Sequence, residues 1–233
     1  MCGRFFLSRS GAEIARHFGL GAAPALAPRF NVAPGQAIPV VRALRGGEPA
    51  RDGAERVLEL RHWGLVPHWA RDPRVGARPI NARAESAPEL PSFREAFARR
   101  RGLVPADGFY EWQHRGRSAR PFAIRIAGGA LFGMAALWER FAREGVVLES
   151  CAIVTTEANA RIGAIHDRMP AIVAPADYAR WLDPALREPA ELAPLLRPWP
   201  AESTELHPVD ARVNDVREDD ARLVQPARDL FSP

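Results

Sequence analysis

The sequence predicts an α+β fold, a single domain with helices arranged around an antiparallel sheet. Three observations predict it: apolar runs of strand length recur between Gly, Pro, Asn and Asp; helical periodicity surfaces only in short, scattered stretches; and the 233 residues contain no internal repeat, heptad pattern or low-complexity linker. At 47% hydrophobic and 26% charged, the chain has the composition of a soluble globular protein, expected as one domain over 1–233 with a short tail at 226–233.

The elements follow in order. Residues 3–7 read as a strand. Ser10-Gly11-Ala12-Glu13 has capping-box spacing, and Ile14, His17 and Phe18 fall on one face of the helix it opens, which ends near Gly19 or Gly21. The Ala/Pro-rich stretch 22–28 is a loop, and Asn31 to Gly35 a turn into a strand at 37–42. Residues 43–55 read as a polar hairpin tip before a strand at 56–65; 66–69 is a loop and 79–85 is extended. Ser92 to Glu95 repeats the capping-box spacing and starts a helix to about Arg100. Strands at 103–104 and 109–113 flank a turn at Pro105-Ala106-Asp107-Gly108, and strands at 121–127 and 130–138 flank Gly128-Gly129 as a hairpin. A strand at 146–155, a helix at 158–164, a strand at 171–173 and short helices at 176–182 and 190–196 precede a Pro-interrupted tail.

Composition excludes several classes. No run of eighteen apolar residues exists, so no membrane span is expected, and Met1 to Leu7 lacks the long apolar core of a signal peptide. A cytoplasmic protein is the default. The formal charge is +4, and all 32 basic residues are Arg. Guanidinium forks suit phosphate, but the abundance of Ala, Arg, Pro and Gly explains the total as codon bias, so only particular arginines argue for nucleic acid. Two cysteines are too few for a disulfide framework or a zinc site, and His17, His62, His68, His114 and His207 lack metal-ligand spacing. No phosphate-binding Gly loop and no Gly-x-Ser-x-Gly elbow is present. Neither a metal nor a cofactor is expected.

Cys151, in the apolar run 151–154, reads as an inert core residue. Cys2 differs by position: a small second residue permits removal of Met1, which leaves an amine and a thiol on adjacent carbons. With an aldehyde, the amine forms an imine and the thiol closes it to a thiazolidine. Chance also places cysteines second, so Cys2 needs partners. Glu111, in Phe109-Tyr110-Glu111-Trp112, faces opposite to Tyr110 and Trp112 on a strand, and a carboxylate among aromatic rings is pushed toward pKa values useful for proton transfer, unless it reaches water at an edge. Asn81 and Arg83 share a strand face suited to a sugar-phosphate or, equally, to solvent. His166, in the loop His166-Asp167-Arg168, is an acid, a base or a packing histidine, and Asp167 orients it or caps a turn. Trp63 reads as core, whereas Trp69 is a candidate stacking surface for unpaired bases.

In order and spacing, several segments together resemble the SRAP (SOS-response-associated peptidase) family: Met1-Cys2-Gly3-Arg4-Phe5, Asn31 to Gly35, Trp63 to Pro67 with Trp69, Ile80 to Glu85, Pro105 to Trp112, Ile165 to Pro170 and His207-Pro208-Val209. The resemblance runs to about residue 226. It implies a curved, mostly antiparallel, barrel-like sheet with peripheral helices and a DNA-binding groove. It also implies covalent capture of abasic sites in single-stranded DNA, by a thiazolidine between Cys2 and the ring-opened sugar, with an AP-lyase side reaction through the imine. The matching positions are Cys2, Asn81, Glu111 and His166 for catalysis and Arg4, Trp69, Arg83 and Arg168 for DNA. The implied partners are abasic single strands and their junctions with duplex, bound by a monomer in the cytoplasm, associated with the nucleoid when on DNA. The alternative is an N-terminal-cysteine peptidase that removes its own Met1. A binder that uses Arg and Trp without covalent chemistry is the third reading. Two positions depart from the family pattern: Gly102, where many relatives carry Cys, and Asp215, where many carry Asn.

Overall fold

The computed structural model describes residues 2–44, 46, 48, 53–72, 78–116 and 118–227. The strands are β1 (Phe5–Leu7), β2 (Arg29–Val32), β3 (Ala37–Ala43), β4 (Arg56–Trp63), β5 (Asn81–Arg83), β6 (Arg101–Ala106), β7 (Gly108–Arg115), β8 (Ser118–Ile126), β9 (Phe132–Arg143), β10 (Val146–Glu157), β11 (Arg168–Pro170), β12 (Ile172–Val173) and β13 (Thr204–Pro208). The helices are α1 (Gly11–Phe18), α2 (Arg94–Arg99), α3 (Tyr178–Leu182) and α4 (Pro189–Leu192), joined by short 3₁₀ turns.

The expected α+β class holds, with the strands divided between two sheets. A five-stranded sheet runs β13-β8-β7-β1-β2. An eight-stranded sheet runs β11-β10-β4-β3-β6-β9-β12, with β5 beside β10, and a further pairing of β10 with β9 joins β10, β4, β3, β6 and β9 into a ring. Pairing is antiparallel throughout the described strands except where β10 meets β4 and β5.

Period-two alternation gives the five-stranded sheet two buried faces. Phe5, Phe109 and Ile124 point into the main core with Trp63, Leu103, Leu137 and Ile153. Their neighbours Phe6, Tyr110 and Ala123 pack under Val209, Val213, Leu223 and Val224 of the C-terminal segment. Helix α1 is built as its sequence predicts. Ser10 Oγ accepts from the Glu13 N–H, the Glu13 side chain returns to Ser10, and Gly19 ends the helix in the left-handed conformation at φ 66°.

Several expectations are corrected. The turn expected at Pro105 to Gly108 shrinks to Asp107: Pro105 and Ala106 end β6 in the larger sheet and Gly108 starts β7 in the smaller one. Asp107 is the corner, accepting from Ser8 N, Ser8 Oγ and Arg9 Nε at 2.6, 2.8 and 3.1 Å. A Cβ at residue 108 would lie 2.2 Å from Phe6 Cζ, so glycine is what lets the strands cross there. Gly128-Gly129 likewise carries the chain between sheets, because β8 and β9 do not pair. Strand β9 instead turns back into β10 through Glu144-Gly145, both at positive φ (52° and 78°), as a two-residue turn of the primed type requires. Helix α2 forms without the Ser92 cap; its first flanking residue, Phe93, makes no side-chain cap bond. Residues 158–164 supply only a 3₁₀ turn at Ile162–Ala164. Asn31 lies inside strand β2, and the Pro-interrupted tail contributes strand β13. The expected tip at 43–55 and the tail from 228 onward lie partly or wholly outside the described residues.

Candidate active site at the seam between the sheets

The two sheets meet at the amino terminus. Phe5 pairs with Phe109, and the Tyr110 N–H donates to the Arg4 carbonyl at 2.9 Å, which extends the ladder upstream of β1. This brings Glu111 alongside Cys2 from the five-stranded sheet. From the other sheet, Asn81 at the start of β5 donates its side-chain amide to the Cys2 carbonyl at 3.0 Å. Asn81 Oδ1 is buried and has no hydrogen-bond partner among the described residues.

Cys2 is fully buried, and burial, then the negative charge of Glu111, pushes its thiol pKa far up. Glu111 is itself buried, which raises its carboxyl to about 7, with Asp167 adding in the same direction. A carboxyl with that pKa is half protonated near neutral pH and can both take and give a proton. Cys151 is equally buried and its thiol is pushed up to about 12, but its charged neighbour is Arg61 and it faces no acid or amide of this set, in keeping with an inert core residue.

The 3₁₀ turn Ile162–Ala164 delivers His166, and Gln113 on β7 fastens that turn by donating to the Ala164 carbonyl at 3.0 Å. His166 Nδ1 accepts from the Arg168 main-chain N–H at 2.9 Å and also lies 2.9 Å from Asp167 Oδ1. These contacts exclude one another at one nitrogen. Burial lowers the His166 pKa, which favours the neutral ring, and the main-chain donor then assigns the proton to Nε2.

The basic and aromatic positions divide. Trp69 is 55% exposed, its indole donating to the Pro91 carbonyl at 3.3 Å, while Trp63 is buried with its indole on the Ile80 carbonyl at 2.9 Å. The Arg83 side chain is exposed two residues beyond Asn81. Arg4 Nη1 donates to Asn31 Oδ1 and the Val213 carbonyl, both at 2.7 Å. Arg168 meets Glu85 with both terminal nitrogens at 2.9 Å. Burial works against the Glu85 charge, but the Arg168 hydrogen bond and the charges of Arg168 and Arg83 prevail, leaving its pKa below the ordinary value.

Sequence reasoning assigned no role to Glu85, Gln113 or Asn31. Asn31, fully buried, donates to the carbonyls of Val213, Asp215 and Glu218. A polar residue in a strand among apolar neighbours was the available signal; its partners lie about 180 positions away in sequence. The two departures have local accounts. A Cβ at residue 102 would lie 2.6 Å from Val40 Cγ1, so glycine there makes room for Val40. The Asp215 charge is paired with Arg217 at 2.6 Å. Among the described residues no group of three or more His, Cys, Asp or Glu is arranged for a metal ion, and no helix is long and apolar enough to cross a membrane.

The sequence profile of the family described as SOS response associated peptidase (SRAP) matches residues 1–216. The abasic site processing protein YoaM of Bacillus subtilis is 36% identical over 229 residues, covering 96% of this chain and 97% of that protein. The abasic site processing protein YedK of Escherichia coli is 30% identical over 236 residues, covering 97% and 100%. A crystal structure of a Bacteroides thetaiotaomicron protein superposes with a TM-score of 0.84 at 26% identity, covering 97% of this chain and 100% of that one.

Proposed function

The chain belongs to the SOS response associated peptidase (SRAP) family, and from that premise we propose that it processes abasic sites in DNA by covalent capture through Cys2. Loss of Met1 frees the Cys2 amine. The amine adds to C1′ of the ring-opened sugar, the carbinolamine loses one water to give an imine, and the Cys2 sulfur adds to the imine carbon while its proton passes to nitrogen. The product is a thiazolidine, and the single water is the only species released. Glu111 takes the proton from the attacking amine and returns it to the departing hydroxyl, a task that suits a carboxyl with a pKa of about 7. His166 donates from Nε2 to the opening sugar, and Asn81 Oδ1 accepts from a sugar hydroxyl.

The observation that carries this reading is the seam itself: Asn81 on the Cys2 carbonyl at 3.0 Å, with a buried carboxyl beside the same residue. Trp69 offers its exposed ring to unpaired bases and Arg83 its charge to phosphate. Arg4, whose described hydrogen bonds are both on Nη1, keeps Nη2 for a phosphate oxygen. The peptidase reading requires a thiolate, and burial beside a carboxylate works against forming one at Cys2.

Cys2→Ser keeps the amine and removes the thiol. It is expected to yield only an imine trapped by borohydride and, untrapped, to proceed to strand cleavage. A stable crosslink from that variant without borohydride contradicts ring closure by sulfur.

A further inference from the structure

Trp69, 55% exposed, sits in a tight turn whose other central residue is His68. The Ala70 N–H closes that turn on the Pro67 carbonyl at 3.0 Å, and just upstream the Val66 N–H is tied to Ser150 Oγ at 2.8 Å. The Trp69 indole adds one hydrogen bond, to the Pro91 carbonyl at 3.3 Å. His68 is turned into a cluster of charge. Its Nε2 lies 3.3 Å from Glu95 Oε2 on α2, and its Nδ1 lies 3.4 Å from Glu139 Oε2 on β9. Arg100, the residue after α2, meets both acids: Nη1 donates to Glu95 Oε1 at 3.1 Å and Nη2 to Glu139 Oε1 at 2.7 Å. One guanidinium thus serves two carboxylates. Each acid turns its second oxygen to the imidazole, and Glu139 Oε2 is buried with no hydrogen-bond partner among the described residues.

The geometry points to His68 as a positioning residue for Trp69: its imidazolium, held between Glu95 and Glu139, fixes the turn that presents the indole. A neutral imidazole has one N–H and one lone pair, so one of its nitrogens would turn a lone pair toward a carboxylate oxygen. The doubly protonated ring offers an N–H to each acid. It also brings the cluster of two carboxylates and one guanidinium to zero net charge. Among the described residues, the charged groups around His68 are Glu95 and Arg100 from the α2 side and Glu139 from β9, with Arg99 adding its charge at Glu95. Burial works against the Glu95 charge, but the Arg100 hydrogen bond and the charges of Arg100, His68 and Arg99 outweigh it and leave its pKa below the ordinary value. A ring already held in place loses less freedom when a base stacks on it, so the latch raises affinity for single strands. That consequence rests on the proposed stacking role of Trp69; the latch itself does not.

Noncovalent binding to intact single-stranded DNA is measured in a Cys2→Ala background. Glu111 and His166 are then common to every protein, and their titration cancels in each comparison. At about pH 6, His68→Gln is expected to weaken binding roughly three- to tenfold, the scale of ordering one side chain and its turn. At about pH 8 the two proteins are expected to bind alike, because histidine gives up its charge across that interval. A gap of equal size at both pH values overturns the inference. The salt slope is expected to stay at the wild-type value; a slope shallower by about 0.7 would make His68 a phosphate ligand and overturns it too. In a Trp69→Ala background the loss on His68→Gln is expected to vanish, and a loss that persists there shows that His68 does not act through Trp69. Glu95→Gln, at a half-exposed residue, is expected to weaken binding in the same direction at about pH 6, and undiminished binding contradicts the latch. Without DNA, exchange of the Trp69 indole N–H with water, followed by NMR, is expected to quicken several-fold in His68→Gln at about pH 6, and an unchanged rate overturns the inference. A wild-type protein that binds no single strands contradicts the proposed function, while the indole exchange still decides whether His68 holds the turn.

Discussion

Two of the polar clusters on this fold are built on opposite principles. On the adjacent central strands β3 and β4 of the larger sheet, Arg61 and Arg42 share Glu59. Arg61 also reaches Glu149 at 2.6 Å and Arg42 reaches Glu48 at 2.7 Å, with the Arg61 guanidinium 4.0 Å above the Trp138 ring. Each cation there faces carboxylates, and the Arg42 hydrogen bond is the largest of the causes that hold Glu59 below its ordinary pKa. At the seam, Glu111 lies among apolar residues and near the acid Asp167 rather than among arginines, and its pKa rises to about 7. Asn81 keeps a buried oxygen with no partner among the described residues. The Arg61 guanidinium and the Glu111 carboxyl are both buried. What differs is the charge each group faces: carboxylates paired with arginines pin strands together, whereas a carboxyl raised by burial to about 7 can move protons.

Removing the proton carrier is the strongest way to break that contrast. Glu111→Gln is nearly isosteric, and it is expected to slow crosslinking by about 10²–10⁴-fold while the protein still folds. The same substitution sharpens the comparison through stability. Glu111 holds its proton more tightly folded (about 7) than unfolded (4.5), so acid favours the fold and its ionisation in the folded state costs stability. As pH rises from about 4.5 to about 7, wild type is expected to lose up to about 3 kcal/mol relative to Glu111→Gln in denaturant titrations, and nothing further above that window. A pH-independent difference between the two proteins would mean that Glu111 is solvated.

Arg61→Met is the converse experiment. It leaves Glu59 and Glu149 without that cation, but both are about a third exposed, so the expected loss is about 2 kcal/mol rather than the larger cost of a deeply buried unpaired charge. Its crosslinking rate is expected to equal that of wild type once both are folded. The smallest effect is at the rim. Trp69→Ala is expected to weaken single-strand binding by about 1–3 kcal/mol without moving the melting temperature, because the ring is 55% exposed.

The seam was legible in the sequence where local chemistry sets the outcome. Alternation along Phe109 to Trp112 puts Glu111 on the opposite face from Tyr110, and Tyr110 and Trp112 do face the C-terminal segment, hydrogen-bonded to the Phe30 carbonyl and Asn214 Oδ1. The Ser10–Glu13 cap formed because both partners lie within one turn. Failures cluster where the deciding partner is remote. Strand β13 exists because β8 pairs with it from residues 122–126, which no local pattern in a proline-broken tail reveals. Asp107-Gly108 has turn composition, yet the packing of Phe6 and the hydrogen bonds from Ser8 make it a corner between sheets. The Glu85–Arg168 clamp spans 83 positions and left no periodic trace. Cys2, Asn81, Glu111 and His166 were singled out from separate segments, and only the meeting of the two sheets explains why they share one place.

The central claim is that an amine and a thiol on Cys2 capture an abasic aldehyde at this seam. The most direct measurement is a denaturing gel of Met1-processed protein with single-stranded DNA bearing one abasic site, run beside Cys2→Ala and a Met1-retaining form. A heat-resistant slow band from the processed protein alone is the predicted result. No such band, with removal of Met1 verified by mass, or an equal band from Cys2→Ala, would contradict it.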